Sequence, residues 1–76
     1  MQELVEFLAK GLVDKPDEVH VERVERDGAV VLELHVAPDD VGKVIGRQGR
    51  TARALRTVVR ASGARSNERA LLEIVG

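Results

Sequence analysis

Apolar side chains recur at helical spacing near the start of the chain. Between Gln2 and Leu12 they stand three or four positions apart, at Leu4, Val5 and Leu8, with charged residues between them. This spacing predicts an amphipathic helix that buries one of its faces.

The apolar pattern then changes to the period of two that is typical of strands. Two runs, Val19 to Glu25 and Ala29 to Val36, are separated by Asp27-Gly28, a dipeptide favoured in tight hairpin turns because it accepts positive φ. In the second run the apolar residues alternate, which predicts a buried face and a wetter one. The predicted core face consists of the even-numbered residues Val30, Leu32, Leu34 and Val36.

The second half of the chain predicts two more helices. Pro38 presets φ for a first helical turn, and the acids Asp39 and Asp40 suit the positive end of a helix that runs to about Ile45. Gly46 ends this helix.

A longer helix and a last strand follow. The helix is predicted from about Arg50 to Ser62, with Gly63 as its left-handed cap and Ser66-Asn67 in the connection. The run Arg69 to Val75 predicts a third strand. Residues 1–76 then form one α+β domain in the order helix, strand, strand, helix, helix, strand, with a three-stranded sheet covered by helices on one face.

The connection between the two later helices contains two glycines, at Gly46 and Gly49. An ordinary helix hairpin needs only one. Glycine lets the chain turn, exposes backbone amides at the start of the next helix and lets another chain come close. Because a helix N-terminus attracts anions, this loop is predicted to bind phosphate, with Arg47 and Gln48 at its tip.

The helix after the loop separates charge from apolar surface. At about 100° per residue, its arginines fall within an arc of roughly 120°, namely Arg50, Arg53, Arg56 and Arg60. The opposite arc is apolar and carries Ala52, Leu55, Val58 and Val59. One face is therefore predicted to be core and the other cationic, with Lys43, Arg47 and Arg65 as possible extensions.

The net charge of −1 hides a division of the chain. Residues 1–39 contain four bases against ten acids, a net charge of −6, whereas residues 40–76 contain eight bases against three acids, a net charge of +5. This asymmetry favours an anionic partner for the second half, although solvated helix faces produce the same composition.

Several other classes of function lack support in the sequence. There is no cysteine, no apolar run long enough to span a membrane and no signal-peptide pattern, so we expect a cytoplasmic protein without disulfides. The two histidines, His20 and His35, are interpreted as ordinary strand residues, and no metal site is predicted. Without a nucleophile-base pair or a phosphate loop of the nucleotide-hydrolase type, we predict no catalysis and no cofactor.

The loop and its surroundings resemble a known family. The segment Val44-Ile45-Gly46-Arg47-Gln48-Gly49-Arg50 is similar to the I-G-x-x-G signature of the KH domain. The extra helix and strand before the strand-helix-helix-strand core resemble the type II arrangement of bacterial KH proteins. Residues 36–52 are closely similar to small stand-alone bacterial RNA-binding proteins of this family, and the loop pattern shows no departure.

The resemblance implies a domain that grips about four nucleotides of single-stranded RNA, or less often DNA. Its implied site residues are Lys43, Ile45, Gly46, Arg47, Gln48, Gly49, Arg50 and Arg53. In this assignment the glycines allow close backbone approach, Ile45 packs beneath the bases and the polar residues meet phosphates. The family also suggests self-association, pairing with a second, larger KH protein, and a role in RNA chaperoning or post-transcriptional regulation.

Two alternatives stay open at the level of sequence. The domain could be a dimerisation or protein-interaction scaffold that binds little RNA itself, with the basic face meeting an acidic partner. It could also be a helix-turn-helix DNA binder, which is disfavoured because the connection has two glycines and the following helix has no Asn or Gln positioned to read base edges.

Overall fold

The computed structural model describes residues 1–76 and contains three α-helices and one three-stranded sheet. The helices are α1 Gln2–Lys10, α2 Val41–Ile45 and α3 Arg50–Arg65, and the strands are β1 His20–Arg26, β2 Ala29–His35 and β3 Ala70–Val75. Single 3₁₀ turns lie at Pro16–Glu18, Pro38–Asp40 and Arg47–Gly49. The predicted α+β class and element order are confirmed. None of these helices combines the length and the apolar character that a membrane span requires.

The hairpin of β1 and β2 turns at the predicted dipeptide. Asp27 and Gly28 have φ angles of 52° and 77°, and a two-residue turn with both φ angles positive matches the right-handed twist of the strands. The facing pairs run from Arg26 and Ala29 at the turn to His20 and His35 at the open end. Strand β3 pairs with β2 in parallel, so β2 is central and both β1 and β3 are edges.

The helices cover one face of this sheet and form the core with it. All four even-numbered residues of the second predicted run are buried, as predicted. They join one cluster with residues from the helices and the outer strands, including Val5, Ala9, Val21, Val44, Leu55, Val59 and Leu72. The alternating pattern of β2 puts its apolar side chains on one face of the sheet, and the helices pack against that face.

The other face of the sheet has no helix on it, and we call it the open sheet face. The register places His20, Glu22, Val24, Arg26, Ala29, Val31, Glu33, His35, Leu71, Glu73 and Val75 on it. Val31 is nevertheless only 3% exposed, although it was predicted on the wetter face. It lies on the central strand between Val24 and Leu71, and Arg26 crosses this row to reach Glu33 at 3.5 Å and Glu73 at 3.0 Å.

The end of α3 differs from the prediction. The helix continues three residues beyond the predicted end, to Arg65, and Gly63 lies buried inside it instead of capping it. A Cβ atom at Gly63 would lie 2.7 Å from the Ala70 Cβ and 2.8 Å from the Glu68 carbonyl oxygen. Glycine is required here because helix and strand approach closely, and the chain turns instead at Asn67, with φ 57°.

Candidate nucleic-acid interface

The loop between α2 and α3 has a backbone that most residues avoid. Gly46, Gln48 and Gly49 all have positive φ, at 76°, 58° and 74°. The Gly49 N–H donates a hydrogen bond of 3.1 Å to the Gly46 carbonyl, which closes the turn. Gly49 is the N-cap of α3, so the loop delivers the chain directly to a helix N-terminus, where backbone N–H groups lack intrahelical partners.

The two loop glycines are needed for different reasons. A Cβ atom at Gly46 would collide with the Thr51 Oγ1 and lie 2.7 Å from the Thr51 Cβ. At Gly49 a Cβ atom would meet nothing within 4 Å. Gly46 therefore lets the loop fold against α3, whereas Gly49 provides its φ and leaves open space beside the helix N-terminus.

Two arginines of α3 hold the loop tip. Arg53 Nη2 donates a hydrogen bond of 3.1 Å to the Gln48 carbonyl oxygen, and Arg50 Nη2 donates one of 3.3 Å to Gln48 Oε1. The Arg47 side chain is exposed and takes part in no ion pair. Next to the loop, Ile45 is 39% exposed. The loop region thus presents an unpaired guanidinium and an exposed apolar side chain only two positions apart in sequence.

Asp40 anchors the base of α2, which sequence reasoning missed. It lies at the N-terminus of α2, as expected, but makes no capping hydrogen bond there. Its side chain is instead 1% exposed, and its carboxylate accepts backbone N–H bonds from Asp14 at 3.2 Å and Lys15 at 3.0 Å. These partners lie about 25 residues away, so no local pattern could reveal the contact. The carboxylate fixes the segment after α1 against the element that leads into the glycine loop.

Basic side chains fall into two groups according to their partners. Outside the loop and α3, Lys10, Lys15, Arg23, Arg26 and Lys43 each lie within 4.0 Å of a carboxylate. The second group has no carboxylate partner and consists of seven arginines. Two of them, Arg65 and Arg69, lie towards the end of the chain, and the other five are Arg47 in the loop with Arg50, Arg53, Arg56 and Arg60 of α3; we call these five the arginine surface. Its α3 members are exposed, which confirms the predicted division of this helix into a cationic and a buried face.

A shallow pocket continues the arginine surface towards the sheet. It has a volume of about 100 Å³ and is lined by Arg56 and Arg60 of α3 with Ala70, Leu71 and Leu72 of β3. Because β3 is an edge strand, backbone groups on its outer side lack a neighbouring strand. Cationic, apolar and backbone hydrogen-bonding groups therefore meet along this edge.

The predicted site residues divide according to what surrounds them. Those from Ile45 to Arg50, together with Arg53, form one continuous group around the loop. Lys43 instead makes an ion pair of 3.2 Å with Asp14. Arg65, the predicted extension, lies 15 residues beyond Arg50, about 22 Å along the helix, and does not belong to the group.

Comparisons with known proteins match this combination of fold and loop. The family model described as "KhpA/KhpB, KH domain" matches residues 2–74. This chain belongs to the KhpA/KhpB family of KH domains. The match extends from α1 into β3, so the KhpA/KhpB domain includes the glycine loop, the arginine surface and all of the sheet except the last residue of β3.

Curated KhpA proteins from several bacteria are similar over nearly the full length. The protein named RNA-binding protein KhpA of Clostridium perfringens is 53% identical over 75 residues, which is 99% of this chain and 100% of the relative. That of Borreliella burgdorferi is 52% identical over 73 residues, 96% of this chain and 89% of the relative. That of Aquifex aeolicus is 49% identical over 75 residues, 99% and 95% of the two chains.

Proposed function

We propose that this chain binds short single-stranded RNA, about four nucleotides at a time, through the Gly46–Gly49 loop and the adjoining arginine surface. The observation that carries the proposal is the grouping of five arginines without a carboxylate partner on this surface, in a protein where all three lysines, Arg23 and Arg26 are ion-paired. The relatives named RNA-binding protein KhpA support the same function.

The binding mode follows from the chemistry of the loop. Phosphate oxygens accept hydrogen bonds from the Arg47 guanidinium, the Gln48 amide and the backbone N–H groups that begin α3. The missing side chain at Gly49 leaves room for the sugar-phosphate backbone. Ile45 offers an apolar contact to a base, in place of the aromatic stacking that many single-strand binders use.

Arg50, Arg53 and Lys43 have partners that RNA must replace or share. Arg50 and Arg53 donate to exposed oxygens of Gln48, and a guanidinium has five N–H donors, so both retain donors for a phosphate. Lys43 must leave the carboxylate of Asp14, 3.2 Å away. We therefore rank Lys43 as the weakest contributor among the proposed site residues.

The wider role is also part of the proposal. One short groove binds RNA weakly, so we propose a homodimer, a complex with the larger KH protein KhpB, or both, which raises affinity through effective concentration. The function would be RNA chaperoning or post-transcriptional regulation in the cytoplasm. Sedimentation velocity tests the homodimer, because a purely monomeric species at several hundred micromolar would remove it.

Fluorescence anisotropy with a labelled unstructured RNA of eight to twelve nucleotides tests the binding site. The test variant combines Arg47→Asp with Gln48→Asp, which makes the loop more negative by three charges. The matched control combines Lys10→Asp with Phe7→Asp on α1, which changes the charge equally at exposed positions away from the loop.

We expect the loop variant to lose detectable binding while the α1 control binds within about threefold of the native protein. Far-ultraviolet circular dichroism establishes that both variants are folded. If the folded loop variant binds RNA as the native protein does, the loop is not the contact. If the native protein does not bind, the dimerisation or protein-interaction scaffold replaces the RNA-binding proposal.

A further inference from the structure

The two histidines of the chain face each other across the open end of the β1–β2 hairpin. His20 and His35 are a register pair, and their rings are stacked with centroids 4.3 Å apart and an interplanar angle of 4°. They lie on the open sheet face, so they share no residue with the arginine surface. The sequence analysis interpreted them as ordinary strand residues and predicted no metal site, and the hairpin brings them together.

The next pair along the same two strands consists of carboxylates. Glu22 and Glu33 face each other, with Glu22 Oε1 3.5 Å from His20 Nε2 and Glu33 Oε1 3.6 Å from His35 Nε2. One ligand atom each from His20, Glu22 and His35 lies within 4.8 Å of the other two. Two imidazoles and two carboxylates therefore form a compact group of four side chains on two paired strands.

One nitrogen in this group has no hydrogen-bond partner. The Nε2 atom of His35 is buried, and no group lies within hydrogen-bonding geometry of it. Leaving a buried polar atom without a hydrogen-bond partner costs stability. The same nitrogen points towards the Glu33 carboxylate at a distance slightly too long for a hydrogen bond.

We propose that His20, Glu22 and His35 form a binding site for a divalent transition-metal ion of the zinc class. Two imidazole nitrogens and one carboxylate oxygen are a donor set that zinc uses, leaving a fourth position for water or another oxygen ligand. Glu33 is placed to supply that ligand through Oε1, while its Oε2 lies 3.5 Å from Arg26. Binding gives the orphaned Nε2 of His35 a partner.

Binding requires the side chains to move. The two stacked rings lie within 4° of parallel, so they must rotate before nitrogen lone pairs of both can point to one ion. Ligands of one tetrahedral zinc ion, each about 2.0–2.1 Å from it, lie about 3.3 Å apart, so the atoms now spread over 4.8 Å must close by about 1.5 Å. The side chains of His20 and Glu22 are 56% and 57% exposed, which leaves them free to rotate. His20 and His35 lie on different strands at the open end of the hairpin, so a bound ion would link the two strands there.

The composition of the chain makes the test specific. The chain has no cysteine and only these two histidines, so any imidazole that responds to a metal belongs to this site. The experiment uses the full chain without a histidine tag, titrated with Zn²⁺ by calorimetry at pH 7.5, together with nitrogen-15 spectra of the imidazole side chains. The variants are His20→Gln, His35→Gln and Glu22→Gln, with Glu25→Gln on the same strand as the matched control.

We expect one Zn²⁺ per chain, shifts of the ring signals of both histidines, and a rise in the thermal midpoint on binding. Either histidine variant should bind at least tenfold more weakly, whereas Glu25→Gln should bind as the native chain does. Because protons compete for the imidazole nitrogens, affinity should also fall as the pH is lowered.

Three results would overturn the site. One is the absence of saturable binding up to about 1 mM Zn²⁺. Another is unchanged binding in both histidine variants, which would assign the metal to scattered surface carboxylates. The last is a stoichiometry of one ion per two chains, which would mean that histidines of separate molecules share the metal.

Discussion

The arginine surface and the open sheet face both carry several charges, but they use them differently. On the open sheet face, Arg26 lies 3.5 Å from Glu33 and 3.0 Å from Glu73, so its charge is matched within the fold. On the arginine surface no guanidinium has a carboxylate partner. Paired charges of the first kind hold strands together, whereas unpaired charges of one sign remain available for an external anion.

The difference explains why net charge is a poor guide to this domain. The chain as a whole has a charge of −1, which disfavours nucleic-acid binding if charge is averaged over the protein. In the structure, the four Lys and Arg side chains of the first half each lie within 4.0 Å of a carboxylate. In the second half, six of the seven arginines without a carboxylate partner lie in the loop or on α3.

The largest expected effect comes from neutralising the arginine surface. Replacing Arg47, Arg50 and Arg53 by Gln should weaken binding of single-stranded RNA about 100-fold, or about 2.7 kcal/mol. The dependence of log affinity on log salt concentration should become shallower by about 2, since each phosphate contact to a single strand contributes about 0.7. Anisotropy titrations at 50 and 200 mM salt measure both quantities.

Neutralising the two ion-paired arginines of β1 should instead lower stability and leave RNA binding nearly unchanged. Replacing Arg23 and Arg26 by Gln removes ion pairs to Glu68 at 2.8 Å and Glu73 at 3.0 Å. We expect a loss of about 1 kcal/mol in the free energy of unfolding, since both pairs are partly exposed, and RNA affinity within about threefold. Equal losses of affinity in the two variants would remove the distinction between the surfaces.

An effect smaller than that of neutralising the arginine surface is expected at the carboxylate that anchors α2. Asp40→Ala leaves the N–H groups of Asp14 and Lys15 without their acceptor and should lower the free energy of unfolding by about 2 kcal/mol. Urea unfolding followed by circular dichroism measures the change. The control is Asp39→Ala, whose side chain is 84% exposed and pairs only with Lys15, and which should change stability by less than about 0.5 kcal/mol.

An equal loss in the two aspartate variants would mean that the charge of the segment, and not the buried hydrogen bonds of Asp40, determines its stability. A loss confined to Asp40→Ala would instead identify the two backbone hydrogen bonds as the stabilising contact.

Two glycines in equivalent conformations allow the finest test. Gly28 in the hairpin and Gly49 in the loop have φ angles of 77° and 74°, and a Cβ atom at either position meets nothing within 4 Å. Changing each to Ala should lower the free energy of unfolding by about 1 kcal/mol, because the fold holds both positions in a left-handed conformation that is strained for alanine. Only Gly49→Ala should also weaken RNA binding, about fivefold, if a close approach to phosphate worth about 1 kcal/mol is lost. Parallel unfolding and anisotropy measurements on the two variants separate these effects, and equal RNA affinities would argue against close approach at Gly49.

The elements of the fold were predictable because their signals are local. The alternation in β2, the Asp27-Gly28 turn and the two arcs of α3 each depend on residues close together in sequence. The limit of α3 was predicted wrongly because Gly63 was interpreted as a cap, a local role, whereas it is required by contact with Ala70 across the packed interface.

Contacts between distant residues explain what the sequence did not reveal. The role of Asp40 depends on backbone N–H groups about 25 residues away. The pairing of His20 with His35 was accessible in principle, since the two-residue turn fixes a register in which the numbers of each facing pair add up to 55. Following that register from the turn to the open end of the hairpin would have placed the two histidines opposite each other.

Chemical-shift mapping compares the two surfaces in one experiment. A nitrogen-15-labelled sample of the native chain is titrated with the unlabelled RNA, and the backbone amides and arginine Nε–H groups are followed. We predict that the largest changes occur between residues 45 and 60, with Gly46, Gly49 and the Arg47 side chain among them, and that strands β1 and β2 change little. The largest changes on β1 and β2, with the loop unaffected, would contradict the assignment of RNA binding to the arginine surface.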